Sequence, residues 1–151
     1  MKKCFSLILC TLLTLNLYAC GPSLELDDIS EITINNHPEI SLEIKEVSLK
    51  ESSLNIYTIN HTGGEIGSFN EQDFVLEVLK GGNWYTLVAE DISNTSEVYR
   101  FSRERELTIS WKSRYGNLPS GHYRLVKYFF YLSEYETGGI EGFYLADEFE
   151  I

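Results

Sequence analysis

The sequence predicts an all-β domain, an antiparallel two-sheet sandwich of seven to eight short strands without a disulfide. Apolar residues alternate with polar ones at a period of two from Glu39 onward, which is typical of strands with one buried face. Turn residues separate these runs at near-regular intervals, as they do in sandwiches. No segment after residue 20 keeps a period of 3.6 over the ~10 residues that a helix needs; 68–73 and 91–98 are expected to hold at most one helical turn.

The predicted strands follow from this alternation and from the turns between them. Ile40, Leu42 and Ile44 alternate with polar residues in the first strand. Gly81 and Gly82 can adopt the positive φ that a tight hairpin requires between the third and fourth strands. The sequence has ten Tyr, eight Phe and two Trp, mostly within the runs, where they can fill the space between two sheets. The expected strands are 40–47, 54–59, 74–79, 84–88, an extended region at 101 and 107–111, 123–132 and 143–151.

The first twenty residues combine a basic start, a short apolar run and a cysteine. Lys2 and Lys3 precede an apolar stretch over 5–18, which is shorter than the ~20 residues of a membrane-spanning helix and suits a secretory signal. The ending Leu17-Tyr18-Ala19-Cys20 resembles the lipobox of bacterial lipoproteins, although Tyr18 is larger than usual there. The resemblance implies that Cys20 is lipidated and that the chain is cut before it.

The chain is therefore expected to have three parts. Residues 1–19 are a lipoprotein signal peptide, 20–38 a lipidated cysteine with an acidic tether, and 39–151 the sandwich. The isoleucines at 29, 32 and 34 leave a short strand open as an alternative within the tether. Cleavage would leave 132 residues, which is enough for one domain.

Charge and cysteine content exclude several function classes. Loss of Lys2 and Lys3 would leave ten basic against 23 acidic side chains, a formal net charge of −13. A surface this acidic repels nucleic acid, which is therefore not an expected partner. The densest basic segment, 100–114, does not change this expectation, because Glu104 and Glu106 interrupt it. Cys4 and Cys10 would leave with the signal, so the mature domain would have no disulfide, no thiolate metal ligand and no cysteine nucleophile.

The segment from Trp111 to Lys127 predicts a strand, a constrained corner and a second strand. Pro119 fixes φ at one position of the corner, and Gly121 permits an unusual φ at another. Tyr123 opens the next strand and is the candidate for a tyrosine corner, in which the hydroxyl bonds back to the backbone of the preceding loop.

Four segments carry a family resemblance, and they are 60–63, 76–88, 111–127 and 143–151. Together they resemble a family of bacterial immunoglobulin-like domains of secreted and lipid-anchored, mostly Gram-positive, proteins. The resemblance covers about 40–151 and implies the fold. It implies no catalytic residue set, and the disulfide of antibody domains is missing.

No residue pattern predicts a catalytic or metal site. His37, His61 and His122 lie in different segments and lack the helical spacing of a zinc site. Ser120 is better explained as a turn former than as a nucleophile. Neighbouring carboxylates such as Asp147 and Glu148 are expected to belong to a solvated acidic surface, and no EF-hand loop is present.

The aromatic run 128–131 has no polar break, so strand alternation places two rings on each face. One pair should enter the core. The other should be covered by a loop or strand, or form a contact surface. Tyr128, Phe130 and Tyr135 are the residues of this candidate binding patch.

The expected function is that of a non-enzymatic cell-surface lipoprotein domain, an interaction or structural module without a cofactor. Its expected partners are the membrane, through the lipid on Cys20, and an envelope protein. The expected location is the outer side of the cell membrane, or the periplasmic side in a Gram-negative source. The alternative is a module that binds a small ligand, carbohydrate or Ca²⁺ through sandwich-end loops at 60–70, 89–97 and 134–142. The oligomeric state is left open.

Overall fold

A computed structural model of the chain describes residues 24–70, 72–90, 97–139 and 141–151. These residues form ten strands, two short α-helices and a 3₁₀ turn at Glu46–Ser48. The predicted all-β sandwich is confirmed, with more strands than seven or eight. Neither described helix has the length or apolar content to cross a membrane. The elements are β1 (Leu26–Ile29), β2 (Ile40–Lys45), β3 (Ser53–Asn60), β4 (Ile66–Phe69), β5 (Val75–Lys80), β6 (Asn83–Leu87), β7 (Val98–Phe101), β8 (Glu104–Ser110), α1 (Lys112–Tyr115), β9 (His122–Tyr131), α2 (Leu132–Glu136) and β10 (Gly142–Glu150).

Two antiparallel sheets pack face to face. The small sheet has the order β2-β3-β8, and the large sheet has the order β1-β6-β5-β9-β4-β7 with β10 also paired to β9. β9 is the central strand, because β10 pairs along one of its edges while β5 and β4 share the other. The core lies between the sheets.

The core is built by the alternation that the sequence shows. In β3, Leu54 and Ile56 point inward and are fully buried, while Tyr57 points outward. Large rings fill the space at one end of the core, where the Phe149 ring lies 5.6 Å from that of Trp111 and 5.7 Å from that of Tyr123. Aromatic contacts of this kind supply much of the buried apolar area of a sandwich.

The glycine hairpin between β5 and β6 has the predicted geometry. Lys80 pairs with Asn83, and the two residues between them, Gly81 and Gly82, have φ of 58° and 84°. Positive φ at both central residues is the requirement of a two-residue turn that matches the twist of the strands.

β4 and β5 are two halves of one interrupted strand along β9. Gly67 pairs with Phe130 and Val75 pairs with Val126, so seven residues lie between these pairs on the β4–β5 segment and three on β9. The extra residues form a bulge between β4 and β5, of which 70 and 72–74 are described. The sequence analysis did not predict β4. It expected at most one helical turn over 68–73, where the described residues form the end of β4 and a bond from Asp73 N to Asn70 O at 3.2 Å.

Residues 24–36, here called the N-terminal strap, are bonded to the sandwich. β1 pairs with β6, and Asn35 N donates to Tyr144 O of β10 at 2.9 Å. These two attachments lie at opposite edges of the large sheet, one at β6 and the other at β10. Because the core fills the inner face, the connection runs across the outer face, and residues 27–32 share a hollow there with Thr86.

The strap corrects one prediction. Residues 20–38 were expected to form a free acidic tether up to a domain boundary at 38/39, but 24–36 are part of the folded unit. The open alternative was a short strand at Ile29, Ile32 and Ile34. The structure has a strand at Leu26–Ile29, which includes Ile29 alone of these, and an isolated bridge between Ile34 and Tyr144. Residues 1–19 and Cys20 lie outside the described residues.

Candidate functional site on the outer face of the large sheet

The outer face of the large sheet carries the predicted aromatic patch and a second, charged group of residues. Alternation along β9 places Phe129 in the core and Tyr128 and Phe130 on this face. Arg124 and Val126 share the face because they have the same parity. Val126 is only 1% exposed, so the face is covered over much of its area.

Five rings form the aromatic end of this face. The ring of Phe130 lies 4.7 Å from that of Phe69 and 5.1 Å from that of Tyr135 in α2. The rings of Tyr128 and Tyr144 lie 5.1 Å apart. Tyr144 is 36% exposed, and it is the most accessible part of the cluster.

Two glycines make room for these rings. A Cβ on Gly142 would lie 2.1 Å from the Tyr128 ring, and one on Gly67 would lie 2.9 Å from the Phe130 ring. Both separations are shorter than real side chains show. The aromatic cluster therefore depends on glycine at positions facing it across neighbouring strands.

The structure brings the three residues of the predicted patch together but does not expose them equally. Phe130 is fully buried beneath Tyr135 and Phe69, so the patch prediction is wrong for this residue. Tyr128 and Tyr135 are half-buried. Burial raises the pKa of the Tyr128 hydroxyl, and the nearby Tyr144 raises it further.

A buried ion pair occupies the other end of the face. Arg124 Nε donates to Glu77 Oε2 across β9 and β5, and both side chains are buried. The Arg124 guanidinium also lies 4.5 Å from the centre of the Trp84 ring, a cation–π arrangement. Sequence reasoning missed this pair, since the strand pairing that joins positions 77 and 124 is not visible in the sequence.

Lys127 is a second cation that sequence reasoning missed. It lies on the core side of β9, 1% exposed, and its Nζ donates to Asn70 O and Asp73 O at 2.9 Å each. Arg114 Nη1 donates to two further carbonyls of the bulge, those of Gln72 and Phe74. The sequence contained a signal for this site, namely a lysine at a core-facing position of an apolar run. The role of Lys127 is to hold the bulge between β4 and β5 through these bonds to its carbonyl groups.

The corner before β9 has the bond that defines a tyrosine corner. Tyr123 Oη donates to Pro119 O at 2.7 Å, and burial raises the pKa of this hydroxyl. Gly121 does not have a positive φ, which corrects the reason given for it. Its missing side chain instead leaves room for the Tyr123 ring, which would lie 3.1 Å from a Cβ at this position.

Two of the three histidines and the carboxylates at 147 and 148 contact other residues of the sandwich. His37 Nε2 lies 2.6 Å from Tyr131 Oη, His122 Nε2 lies 2.8 Å from Glu148 Oε2, and His61 is exposed. Asp147 accepts a bond from Ile44 N at 2.7 Å and so joins β10 to β2. Across the described residues, no three His, Cys, Asp or Glu side chains come together as metal ligands would.

A polar hollow of about 510 Å³ lies at one end of the sandwich. The buried side chain of Asn60 organises it, because its Nδ2 donates to Gly64 O at 2.8 Å and its Oδ1 accepts from Thr62 N at 3.0 Å. His61 and Arg103 line the opening. This hollow includes part of the loop at 60–70 that the sequence analysis considered for ligand binding.

The family model described as "Bacterial Ig-like domain" matches residues 35–150. This range contains β2 to β10 and leaves β1 outside. No curated protein matches the chain.

Proposed function

Since this chain belongs to the bacterial Ig-like domain family, we propose that it is a non-enzymatic interaction or structural module of the bacterial cell surface, attached to the membrane through lipid on Cys20. The family match over 35–150 carries the proposal, because domains of this family typically have no catalytic role. The buried charges support it as well, since Arg124 pairs with Glu77 and Lys127 donates to backbone carbonyls.

The lipid anchor is supported by the sequence of the first twenty residues. Burial of each lipid methylene contributes about 0.8 kcal/mol, and stable attachment requires more than one chain. The diacylglyceryl group that a lipobox cysteine receives has two. In this proposal the domain lies on the outer side of the membrane, or on the periplasmic side in a Gram-negative source.

The anchor is tested by replacing Cys20 in cells that express the full chain. The Cys20→Ser variant should move from the membrane fraction to the soluble or secreted fraction and lose labelling by radioactive palmitate. Cys10→Ser is the matched control, because it removes a thiol from the signal and should change neither result. Membrane attachment of Cys20→Ser equal to the unmodified protein would remove the anchor from the proposal.

An envelope protein is the proposed partner of the module. Tyr144 and Tyr135 offer accessible aromatic surface at the end of the large sheet, and aromatic residues are enriched at protein contacts. A pull-down from envelope extracts should recover a protein that is lost with Tyr144→Ala and retained with Tyr57→Ala on the small sheet. Equal recovery with both variants would reject this surface as the contact.

The polar hollow at Asn60 favours a second candidate function, binding of a small ligand, a carbohydrate or Ca²⁺ at the sandwich end. Its walls offer backbone groups together with Arg103 and His61. A thermal-shift screen of glycans and Ca²⁺ tests it, with Arg103→Ala as the matched variant. If no compound raises the unfolding temperature, the protein-contact function stands alone.

A further inference from the structure

The strap determines where the chain leaves the sandwich on its way to Cys20. Leu24 and Leu26 pack against the core, and Glu25 O accepts a bond from Val88 N at 3.0 Å. Leu26 pairs with Leu87. The N-terminal end of the described chain is therefore attached beside the C-terminal end of β6.

The remaining chain is too short to act as a long tether. Gly21, Pro22 and Ser23 are the residues between Cys20 and Leu24, and four Cα–Cα steps span ~15 Å at most. A free segment from 20 to 38 would instead reach up to ~60 Å when fully extended. Attachment of the strap thus shortens the distance between a lipid on Cys20 and the domain about fourfold.

One flank of the sandwich surrounds this attachment point. Leu24, the end of β6 and the residues after α1 line a hollow of about 330 Å³. Val88 at its rim is 44% exposed, an apolar side chain that can contact lipid. Glu25, Glu90 and Arg114 also line this hollow, and Lys112 is exposed at the start of α1. A flank with charges of both signs is repelled less by anionic headgroups than the rest of a mature chain whose formal net charge would be −13.

We propose that this flank, formed by Val88, α1 and Gly116–Asn117, faces the lipid bilayer at close range. The inference rests on the proposed lipid anchor at Cys20 and commits to the bilayer surface as the occupant. The strap then has two roles, because it covers the outer face of the large sheet and also orients the domain on the membrane. Tyr144 and the hollow at Asn60 are held in a fixed direction relative to the bilayer.

Energy transfer from two probe positions to labelled lipid tests this orientation. Asn117→Cys and Ser102→Cys introduce single thiols at exposed positions, since lipid would block Cys20. The seven residues of β8 separate the turn at Ser102 from α1, so these regions lie at least ~20 Å apart. With the lipidated full chain in vesicles that carry an acceptor lipid, transfer from position 117 should exceed transfer from position 102.

An insertion provides the control. Twelve Gly and Ser residues placed between Pro22 and Ser23 leave the strap intact and lengthen the connection to the lipid, so the difference between the probes should be lost. Equal transfer from both probes without the insertion, or a difference that survives the insertion, would overturn the orientation while the anchor stands. If the unmodified chain does not attach to the vesicles at all, the proposed anchor itself fails.

Discussion

The two outer faces of the sandwich are built on different principles. On the small sheet, β3 alternates strictly between buried and accessible residues, and three of its four outward residues are the polar Ser53, Asn55 and Tyr57. On the large sheet, most residues of β9 are buried on both faces. Glu77 on β5, which also points outward, is fully buried. The outer face of the small sheet is exposed to water, whereas the outer face of the large sheet is covered by other parts of the chain.

The difference explains why the strap is part of the folded unit. Tyr57 on the small sheet bonds to Glu106 at 2.8 Å and lies 3.9 Å from Lys45 Nζ, and all three remain accessible to water. Arg124 and Phe130 on the large sheet would be costly to expose or to leave unpaired. A sheet with an apolar and ion-paired outer face needs additional chain, which the strap and α2 supply.

The largest expected effect is on the buried ion pair. Arg124→Met leaves Glu77 buried without its cation, which is expected to lower the free energy of unfolding by about 3–5 kcal/mol. The matched change on the open face is Lys45→Met, which leaves Glu106 in water and should change stability little. Urea unfolding followed by tryptophan fluorescence measures both. Similar losses from the two variants would mean that the faces do not differ as described.

The double variant Glu77→Leu/Arg124→Met separates the value of the pair from the penalty of breaking it. Replacing a buried pair by apolar residues is often neutral or stabilising. The double variant should therefore recover most of the loss caused by Arg124→Met. A loss as large as that of the single variant would assign the effect to packing on Trp84.

Truncation of an aromatic ring on each face is the second comparison. Phe130→Ala removes a fully buried ring and should lower the free energy of unfolding by about 3–5 kcal/mol. Tyr57→Ala removes a half-buried ring from the open face, and a much smaller loss is expected. Thermal unfolding of the two variants measures the contrast, and an equal loss in both would contradict the covered state of Phe130.

The sequence was sufficient for the inward face of β3 but not for the assignment of strands to sheets. It joined 101 and 107–111 in one extended region, whereas the structure places Phe101 in β7 of the large sheet and 107–110 in β8 of the small sheet. It was also insufficient for the outer face of the large sheet. The alternation of Leu54 and Ile56 with polar neighbours predicts the inward face of β3 without any tertiary information. The run at 128–131 fixes which rings share a face, but whether Phe130 is covered depends on α2 and on pairing with β4. β4 itself was missed because Gly67 and Ser68 interrupt a run of only four residues.

The strap was missed for a related reason. Acidic residues between 25 and 31 favour a solvated tether when they are considered alone. Attachment is decided by partners distant in sequence, since Asn35 bonds to Ala146. Contacts separated by more than 100 residues leave no periodic signal.

Glycine substitutions test the same contrast between covered and open regions, with a smaller expected loss of stability. Gly142→Ala would place a Cβ 2.1 Å from the Tyr128 ring, and the forced repacking is expected to cost about 1–3 kcal/mol. Gly64→Ala is the control, because the nearest atom to its Cβ would be Thr62 Oγ1 at 3.7 Å, an ordinary contact. Denaturant midpoints of the two variants test this; a harmless Gly142→Ala would show that the aromatic cluster is loosely packed.

Removing an asparagine side chain from the strap or from the open face is expected to have a smaller effect on stability. Asn35→Gly keeps the conformational freedom needed at its φ of 54° but removes both bonds to Ala146. Each such bond is worth about 1 kcal/mol, and hydrogen exchange at Ala146 N should accelerate. Asn55→Ala on the open face loses bonds to Glu106 and Thr108 that water can replace, so exchange in β3 should change less. Unchanged exchange at Ala146 N would argue that the strap is not held there.

The smallest expected effect is a pKa on the open face. The Tyr57 hydroxyl, followed by the Asn55 amide, stabilises the charged form of Glu106 and lowers the pKa of its carboxyl. Because the folded-state pKa is below the unfolded value, the associated stability is present above the unfolded pKa and is lost as pH falls through the folded one. Tyr57→Phe should raise the pKa of Glu106 toward its ordinary range, as measured by NMR titration of its side-chain carboxyl. The same titration in Tyr128→Phe should leave Glu106 unchanged, because Tyr128 lies on the other sheet. A shift in both variants would mean that the two faces are electrostatically coupled through the sandwich, and the contrast between them would then be one of packing alone.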